Sequence, residues 1–364
     1  MSKTLKIVGG VLAVIIIVGI VAVAKNSPAT NDSSVIKVGV IAPLTGPLAE
    51  YGEAFRNGIS LAQEKLGNTK LSFVFEDSAY DSAKAISAYN KLKDLNKVNV
   101  VVNWGDPTSQ ALAPLFKNSK IPFIAVTTIP SVAQNDSSII RTLNKAEDDA
   151  EMTWSYLRSK NMKNVAIVKL ETAYFNTLLS AMSKFKKADE TITVIDTYLS
   201  FGDMDFKTTI TKLKNNKYFD VVGVFLASGQ ISQFYNQSAA IGMKTSTFGT
   251  DFFENQSDID NAGKNINGAV FVNYEVSDAF RAEYLAKYKN VSQIAYAGNG
   301  YDTVMILNSA TDSSKASIMK AFSVIKNYNG VLGEWIYNKT ADDQYLSSPF
   351  HVKIIQDGKI EVIK

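Results

Sequence analysis

Not one cysteine occurs in the 364 residues, so the chain forms no disulfide, offers no thiolate nucleophile and has no cysteine metal site. Histidine is nearly as scarce. The single copy, His351, lies between Phe350 and Val352 in a β-rich run near the end, with no serine and aspartate arrangement around it to suggest hydrolysis. Nucleophile elbows, phosphate loops, dinucleotide fingerprints and metal-ligand spacings are also missing. The acid pairs Asp148-Asp149 and Asp342-Asp343 are sequence neighbours that point apart and read as solvated. Excess charge of one sign is absent too: 38 basic residues face 35 acidic ones, a net +3, which gives no nucleic-acid surface. Neither an enzyme nor a cofactor is expected.

What is present begins with a targeting pattern. Lys3 and Lys6 precede an unbroken apolar or glycine run over residues 7–24, followed by Lys25 and the polar linker N-S-P-A-T-N-D-S-S. The run exceeds a usual signal-peptide core and reaches the minimum for spanning a bilayer, which reads as an uncleaved anchor. Ala22-Val23-Ala24 also resembles a small-residue cleavage site, and cleavage there gives a secreted or periplasmic protein. Either way residues 1–34 form a signal peptide or membrane anchor plus linker, and the bulk of the chain is extracytoplasmic.

The stretch from Val35 to Gly67 organises the remainder. Val35 to Ala42 is apolar apart from Lys37, the pattern of a strand covered on both faces in a parallel sheet. Pro43 and Thr45-Gly46-Pro47 stop it, and Ala54, Ile59, Leu61, Ala62 and Leu66 then recur at helical spacing before Gly67. This is a βα unit whose loop lies at the strand's carboxyl end, where open α/β sheets bind ligands. The alternation continues. Strands are expected at 71–76, 98–102 and 121–126 with helices at 82–95 and 110–118, and after Arg141 the units restart with a helix at 147–159 and a strand at 165–168. Further strands at 191–198, 220–226, 247–249 and 268–273 alternate with helices at 174–187, 206–215 and 230–241. Helices at 278–288 and 294–312 follow, and Asp357-Gly358 makes the ending a hairpin. The chain is too long for one core and suits two lobes of roughly 150 residues each.

The order of strand, A-P-L-T-G-P, Tyr51-Gly52 and helix, with I-P-F-I-A, V-A-I-V before a tyrosine, F-G-T-D and A-Y-A-G-N-G-Y-D further on, resembles the type I periplasmic solute-binding proteins, in particular the leucine/isoleucine/valine-binding branch. The resemblance implies an α/β fold of two doubly wound, Rossmann-like lobes joined by a multi-segment hinge. It assigns residues 35–146 and 275–336 to lobe 1, and 147–274 and 337–364 to lobe 2. It also implies a small-molecule solute and permease subunits of an ATP-driven importer as partners. A ligand-sensing receptor ectodomain of the same fold is the alternative. Many relatives are tethered through a lipid-modified cysteine, a route closed to this chain.

The resemblance further implies site residues. Relatives that bind α-amino acids hold the carboxylate with a hydroxyl and backbone amides after the third strand and with an A-x-T loop after the fourth. Here the hydroxyl position falls on Asp106, Thr127 stands at the alanine, and Ile129 stands at the threonine, with Thr128 between them. Two expected hydroxyls are missing, and Thr108 or Ser109 could take over through a small loop shift. Asp106 before Pro107 also reads as a helix cap for a helix starting at Thr108. On the second lobe Tyr174 falls where relatives lay a tyrosine over the ligand, and Asp251 where they hold its ammonium group. Ala227 and Ser228 replace a bulky aromatic, near Gln230, and Tyr296 stands at an aromatic position of the late helix. Trp104 and Tyr51 are candidate flat walls. If Asp106 and Asp251 both face the groove, a di-cationic or amide-type solute is implied.

Overall fold

The computed structural model describes residues 35–67, 70–117 and 119–363; the targeting pattern at residues 7–24 lies outside them. Among the described residues, no helix is long and apolar enough to cross a membrane. Apolar runs and amphipathic stretches alternate to give β1 (Ile36–Ala42), α1 (Ala49–Leu66), β2 (Leu71–Asp77), α2 (Ser82–Lys91), β3 (Val100–Trp104), α3 (Asp106–Phe116), β4 (Phe123–Val126) and β5 (Ile139–Arg141). Their strands pair in parallel in the order β2-β1-β3-β4-β5. The chain then crosses over and repeats the winding with α4 (Ala146–Ser159), β6 (Asn164–Leu170), α5 (Ala173–Phe185), β7 (Thr191–Tyr198), α6 (Lys207–Asn215), β8 (Val221–Phe225), α7 (Gln230–Ile241), β9 (Ser246–Phe248), α8 (Gln256–Ala262) and β10 (Val270–Tyr274). These strands pair in the matching order β7-β6-β8-β9-β10. Every residue of β3, β8 and β10 is buried, because helices cover both faces, and that is why these strands are near-continuous in Val and aromatic residues rather than alternating.

The last part of the chain serves both sheets. α9 (Asp278–Tyr288), α10 (Ile294–Leu307) and α11 (Lys315–Ser323) are followed by β11 (Tyr328–Gly330), β12 (Gly333–Lys339), β13 (Gln344–Ser347), β14 (Phe350–Gln356) and β15 (Lys359–Val362). α10 packs on α1 so closely that a Cβ on Gly58 would lie 1.8 Å from the Ala297 carbonyl oxygen, so only glycine allows this approach. β14 and β15 form the expected hairpin, added antiparallel to β10 at the edge of the second sheet.

Four expectations need correction. The late helix ends at Leu307 rather than Asp312, and a separate helix, α11, follows it. The helix after β3 begins at Asp106, not Gln110. The return to the second lobe comes at Ser348-Pro349, not at residue 337, since β12 and β13 both extend the first sheet. The acid pair Asp342-Asp343, expected to be solvated, is not so at Asp343, which is buried and pairs with the fully buried Arg141 of β5 through Nη2 at 2.5 Å and Nε at 3.0 Å. That ion pair pins β13 beside β5, where Tyr345 stands opposite Arg141.

Candidate functional site

In both sheets the strand order reverses direction beside the first strand, between β1 and β3 and between β6 and β8, and loops at the carboxyl ends of such strands form the binding crevice of open α/β sheets. The two sets of loops meet. Tyr51, at the start of α1, has its hydroxyl 3.1 Å from Ser228 Oγ, in the loop after β8. Asn255 Nδ2 donates to Ser228 Oγ at 2.7 Å and to Glu50 Oε2 at 2.8 Å, and Tyr296 of α10 donates its hydroxyl to Asp251, in the loop after β9. The lobes are therefore closed upon one another.

On the first lobe Gly105, at φ +121°, takes the N-cap position of α3, a conformation that side chains rarely adopt. Asp106 is thus the first helical residue and caps nothing. Its buried carboxylate reaches across to the loop after β4, accepting from Thr127 Oγ1 at 2.5 Å, the Thr128 amide at 3.0 Å and Thr128 Oγ1 at 2.9 Å. Burial raises its pKa, and these hydrogen bonds work against the shift. Thr108 is turned into the helix, bonded to the Gly105 carbonyl at 3.1 Å and to Asn103 Nδ2 at 3.0 Å.

On the second lobe Asp251 accepts from Tyr174 at 2.6 Å and from Tyr296, so one carboxylate joins hydroxyls of both lobes. Burial pushes its pKa up to about 6, the two phenols oppose that, and Glu254 and Asp106 add to it. Asp149, in the first turn of α4, is not solvated as its sequence suggested but buried; burial first, and the Asp251 charge second, push it to about 8. Thr153 Oγ1 donates to it at 3.0 Å.

Aromatic rings line the space between. Trp104 lies with its centroid 5.1 Å from Tyr296, 5.8 Å from Tyr51 and 6.0 Å from Tyr80. Phe252 lies 4.6 Å from Tyr51 and 5.6 Å from Tyr174. Two small cavities of about 30 and 20 Å³ share Thr128, Leu143, Tyr174 and Tyr296 as walls; Asp149 and Asp251 line the first, Trp104, Asp106, Tyr80 and Phe252 the second.

Of the residues singled out from sequence, Trp104, Asp106, Thr128, Tyr174, Asp251 and Tyr296 are brought together on these walls. Tyr51 stands behind them as an interlobe contact, Thr127 supports Asp106 from the side, and neither Thr108 nor Ala227 lines either cavity; the Ala227 amide donates inward to Gln230 Oε1 at 3.2 Å. Sequence reasoning missed Tyr80, Phe252 and Asp149. Tyr80 is presented by two successive left-handed residues, Ala79 at φ 45° and Tyr80 at φ 62°. Asp77 holds that turn in place, accepting from the Ala79 amide at 2.8 Å as well as from the Leu44 amide at 2.8 Å. Asp77-Ser78 closing a strand beside the reversal point was a usable signal for this loop. Asp149 had one too: the first turn of a helix that follows immediately on a lobe crossing.

Comparison with known proteins agrees with this arrangement. The family described as periplasmic binding protein matches residues 35–359. The Leu/Ile/Val-binding protein homolog 3 of Brucella melitensis is 29% identical over 357 residues, covering 89% of this chain and 92% of that protein. BraC3, a Leu/Ile/Val-binding protein of Rhizobium johnstonii, is 27% identical over 356 residues, covering 89% and 93%. Among solved structures, the leucine-binding protein of Thermotoga maritima superposes with a TM-score of 0.80 at 20% identity, over 91% of this chain and 98% of that one. A benzoate-bound solute-binding protein of R. palustris gives 0.78 at 20% identity, over 90% and 95%. At such identities the structural likeness speaks for the fold.

Proposed function

We propose, from the premise that this chain belongs to the periplasmic binding protein family, that it is the extracytoplasmic solute-binding component of an ATP-driven importer. It closes two lobes around a small amine-bearing solute, such as an amino acid or an amide, and delivers it unchanged to membrane permease subunits. The observation that carries this reading is Asp251: a buried carboxylate that joins hydroxyls of both lobes and has no cationic side chain bonded to it among the described residues. Such a group favours a bound cation. The names of the curated relatives support a solute of amino-acid size.

Thermal unfolding of the full-length protein with amino acids, amides, simple amines and benzoate tests this. A ligand at a hundred times its Kd stabilises the folded state by about 2.7 kcal/mol, which shifts the midpoint measurably. An amine-bearing compound is expected to give the largest shift and to be recovered intact. Chemical conversion of the bound compound, or a shift with benzoate and none with any amine, would sink the reading.

A further inference from the structure

We propose that the cleft selects an amine that carries no carboxylate, a deeper statement about the same site that rests on the amine reading above. The argument starts from what the walls offer a charged solute. Three acidic side chains, Asp106, Asp149 and Asp251, line the two cavities, each buried. The donors nearest Asp106 are already taken up, because both hydroxyls and the amide of Thr127-Thr128 point at its oxygens. A solute carboxylate arriving there would meet an acid rather than a donor.

Cations that could neutralise such a solute are committed elsewhere. Lys145 is the one basic residue lining either cavity among the described residues, and its ammonium lies 4.8 Å from the ring of Tyr345, which lines neither. Arg141 points its guanidinium at Asp343 and at the Thr127 and Leu143 carbonyls. Lys353 bridges Glu254 and Glu275 at 3.0 and 2.7 Å. The first turn of α4 holds three acids, Glu147, Asp148 and Asp149, which occupy the favourable end of its dipole. An unpaired anion in this setting costs several kcal/mol.

For a cation the same walls are favourable. Tyr80, Trp104, Tyr174, Phe252 and Tyr296 surround the smaller cavity, and aromatic faces attract ammonium groups most strongly where water is excluded. One polar group is left over. The indole Nε1 of Trp104 is buried without a hydrogen-bond partner, and a buried donor in that state favours a ligand bringing an acceptor. An amine whose second polar group is an amide or hydroxyl meets this donor without placing a negative charge among the acids, whereas a zwitterionic amino acid meets it only by setting its carboxylate beside them.

The test is calorimetric titration of the full-length protein with matched compounds: leucine, leucinamide, 3-methylbutylamine, putrescine and choline. At least one of the four carboxylate-free amines is expected to bind tighter than leucine by about tenfold or more, in line with an unpaired carboxylate in a desolvated site. In Asp106→Asn, leucine is expected to gain at least tenfold relative to leucinamide, and a folded-state melting profile checks that the variant is intact. If Asp106→Asn does not fold, the wild-type comparison decides alone. Leucine binding as tightly as, or tighter than, all four amines overturns the proposal while leaving an amine-binding importer component standing. Binding of none of the five overturns both.

Discussion

Asn144 and Ser348 hold each other in a reciprocal pair: Asn144 Nδ2 donates to the Ser348 carbonyl at 2.9 Å, and the Ser348 amide donates to Asn144 Oδ1 at 3.0 Å. The first residue lies in the crossing between β5 and α4, the second in the crossing between β13 and β14. The Asn144 amide also donates to the hydroxyl of Tyr274, at the end of β10 where the middle crossing begins, at 2.8 Å. One buried side chain and its backbone thus tie together all three connections between the lobes. Removing it leaves the Ser348 amide and carbonyl without partners in a buried setting. Asn144→Ala is expected to lose about 2 kcal/mol of stability by urea unfolding and to enlarge the radius of gyration of the unliganded protein in solution scattering. A variant unchanged in both would show that the crossings are held by something else.

Ligand affinity is expected to depend on pH through Asp251. Its folded-state pKa is raised from the ordinary carboxylate value to about 6, chiefly by burial, with Tyr174 and Tyr296 opposing and Glu254 and Asp106 reinforcing. A bound ammonium group favours the ionised acid, so binding strengthens as pH rises through about 6, and a further gain towards 7.5 belongs to Asp149 on the same cavity wall. Below 6 the affinity for 3-methylbutylamine should fall by up to about tenfold per pH unit, the equivalent of about 1.4 kcal/mol. Titrations between pH 4.5 and 7.5 check this, with Asp251→Asn as the control whose affinity is lower than wild type above pH 6 and nearly flat between 4.5 and 6. A wild-type profile as flat as that of the variant would remove Asp251 from the contact.

Breaking the ion pair that anchors β13 should be costly. Arg141 is fully buried and Asp343 nearly so, and truncating one partner leaves an uncompensated interior charge, typically a loss of about 3–5 kcal/mol. Asp343→Ala is expected to fall in that range by chemical denaturation. Pairing Arg141→Met with Asp343→Leu should recover much of the loss, since no charge is then stranded. A single-variant cost below about 1 kcal/mol would mean the pair does not fix the strand.

Much of the fold was legible because it rests on local signals. Buried parallel strands such as β3 and β8 announce themselves as short Val-rich runs, and Asp357-Gly358 marks a hairpin irrespective of its surroundings. What escaped depends on long-range pairing. β13 is four residues beside a polar linker, and its place in the first sheet comes from Asp343 finding Arg141, 202 positions away. The site divides in the same way. Asp251, Tyr174 and Tyr296 follow strand ends and a late helix whose positions the resemblance supplies, while Tyr80 projects from a left-handed turn that alanine and tyrosine do not advertise. Asp106 showed both sides: its position was visible, but its engagement with Thr127 and Thr128 required the fourth-strand loop to be placed beside it.

Asp149 offers a measurement that needs no ligand. Its pKa is pushed from an ordinary carboxylate value to about 8 by burial, with Asp251 and Asp148 adding repulsion and only Thr153 opposing. The folded chain therefore binds a proton that the unfolded chain releases above about pH 4. This group's contribution to stability is present below its unfolded pKa and is lost as pH rises through the folded value, so wild-type stability should decline across the interval from about 4 to about 8. Asn is neutral at every pH and keeps an oxygen that can accept from Thr153 Oγ1, as Asp149 does at 3.0 Å. Asp149→Asn should accordingly match the wild type near pH 4 to 5 and exceed it increasingly towards pH 8, with a slope of up to about 1.4 kcal/mol per pH unit. Urea unfolding of both proteins at four pH values from 5 to 8 supplies the difference. A difference that does not grow with pH would place the Asp149 charge in solvent or beside a cation, and would leave Asp106 and Asp251 as the only acids confronting a solute.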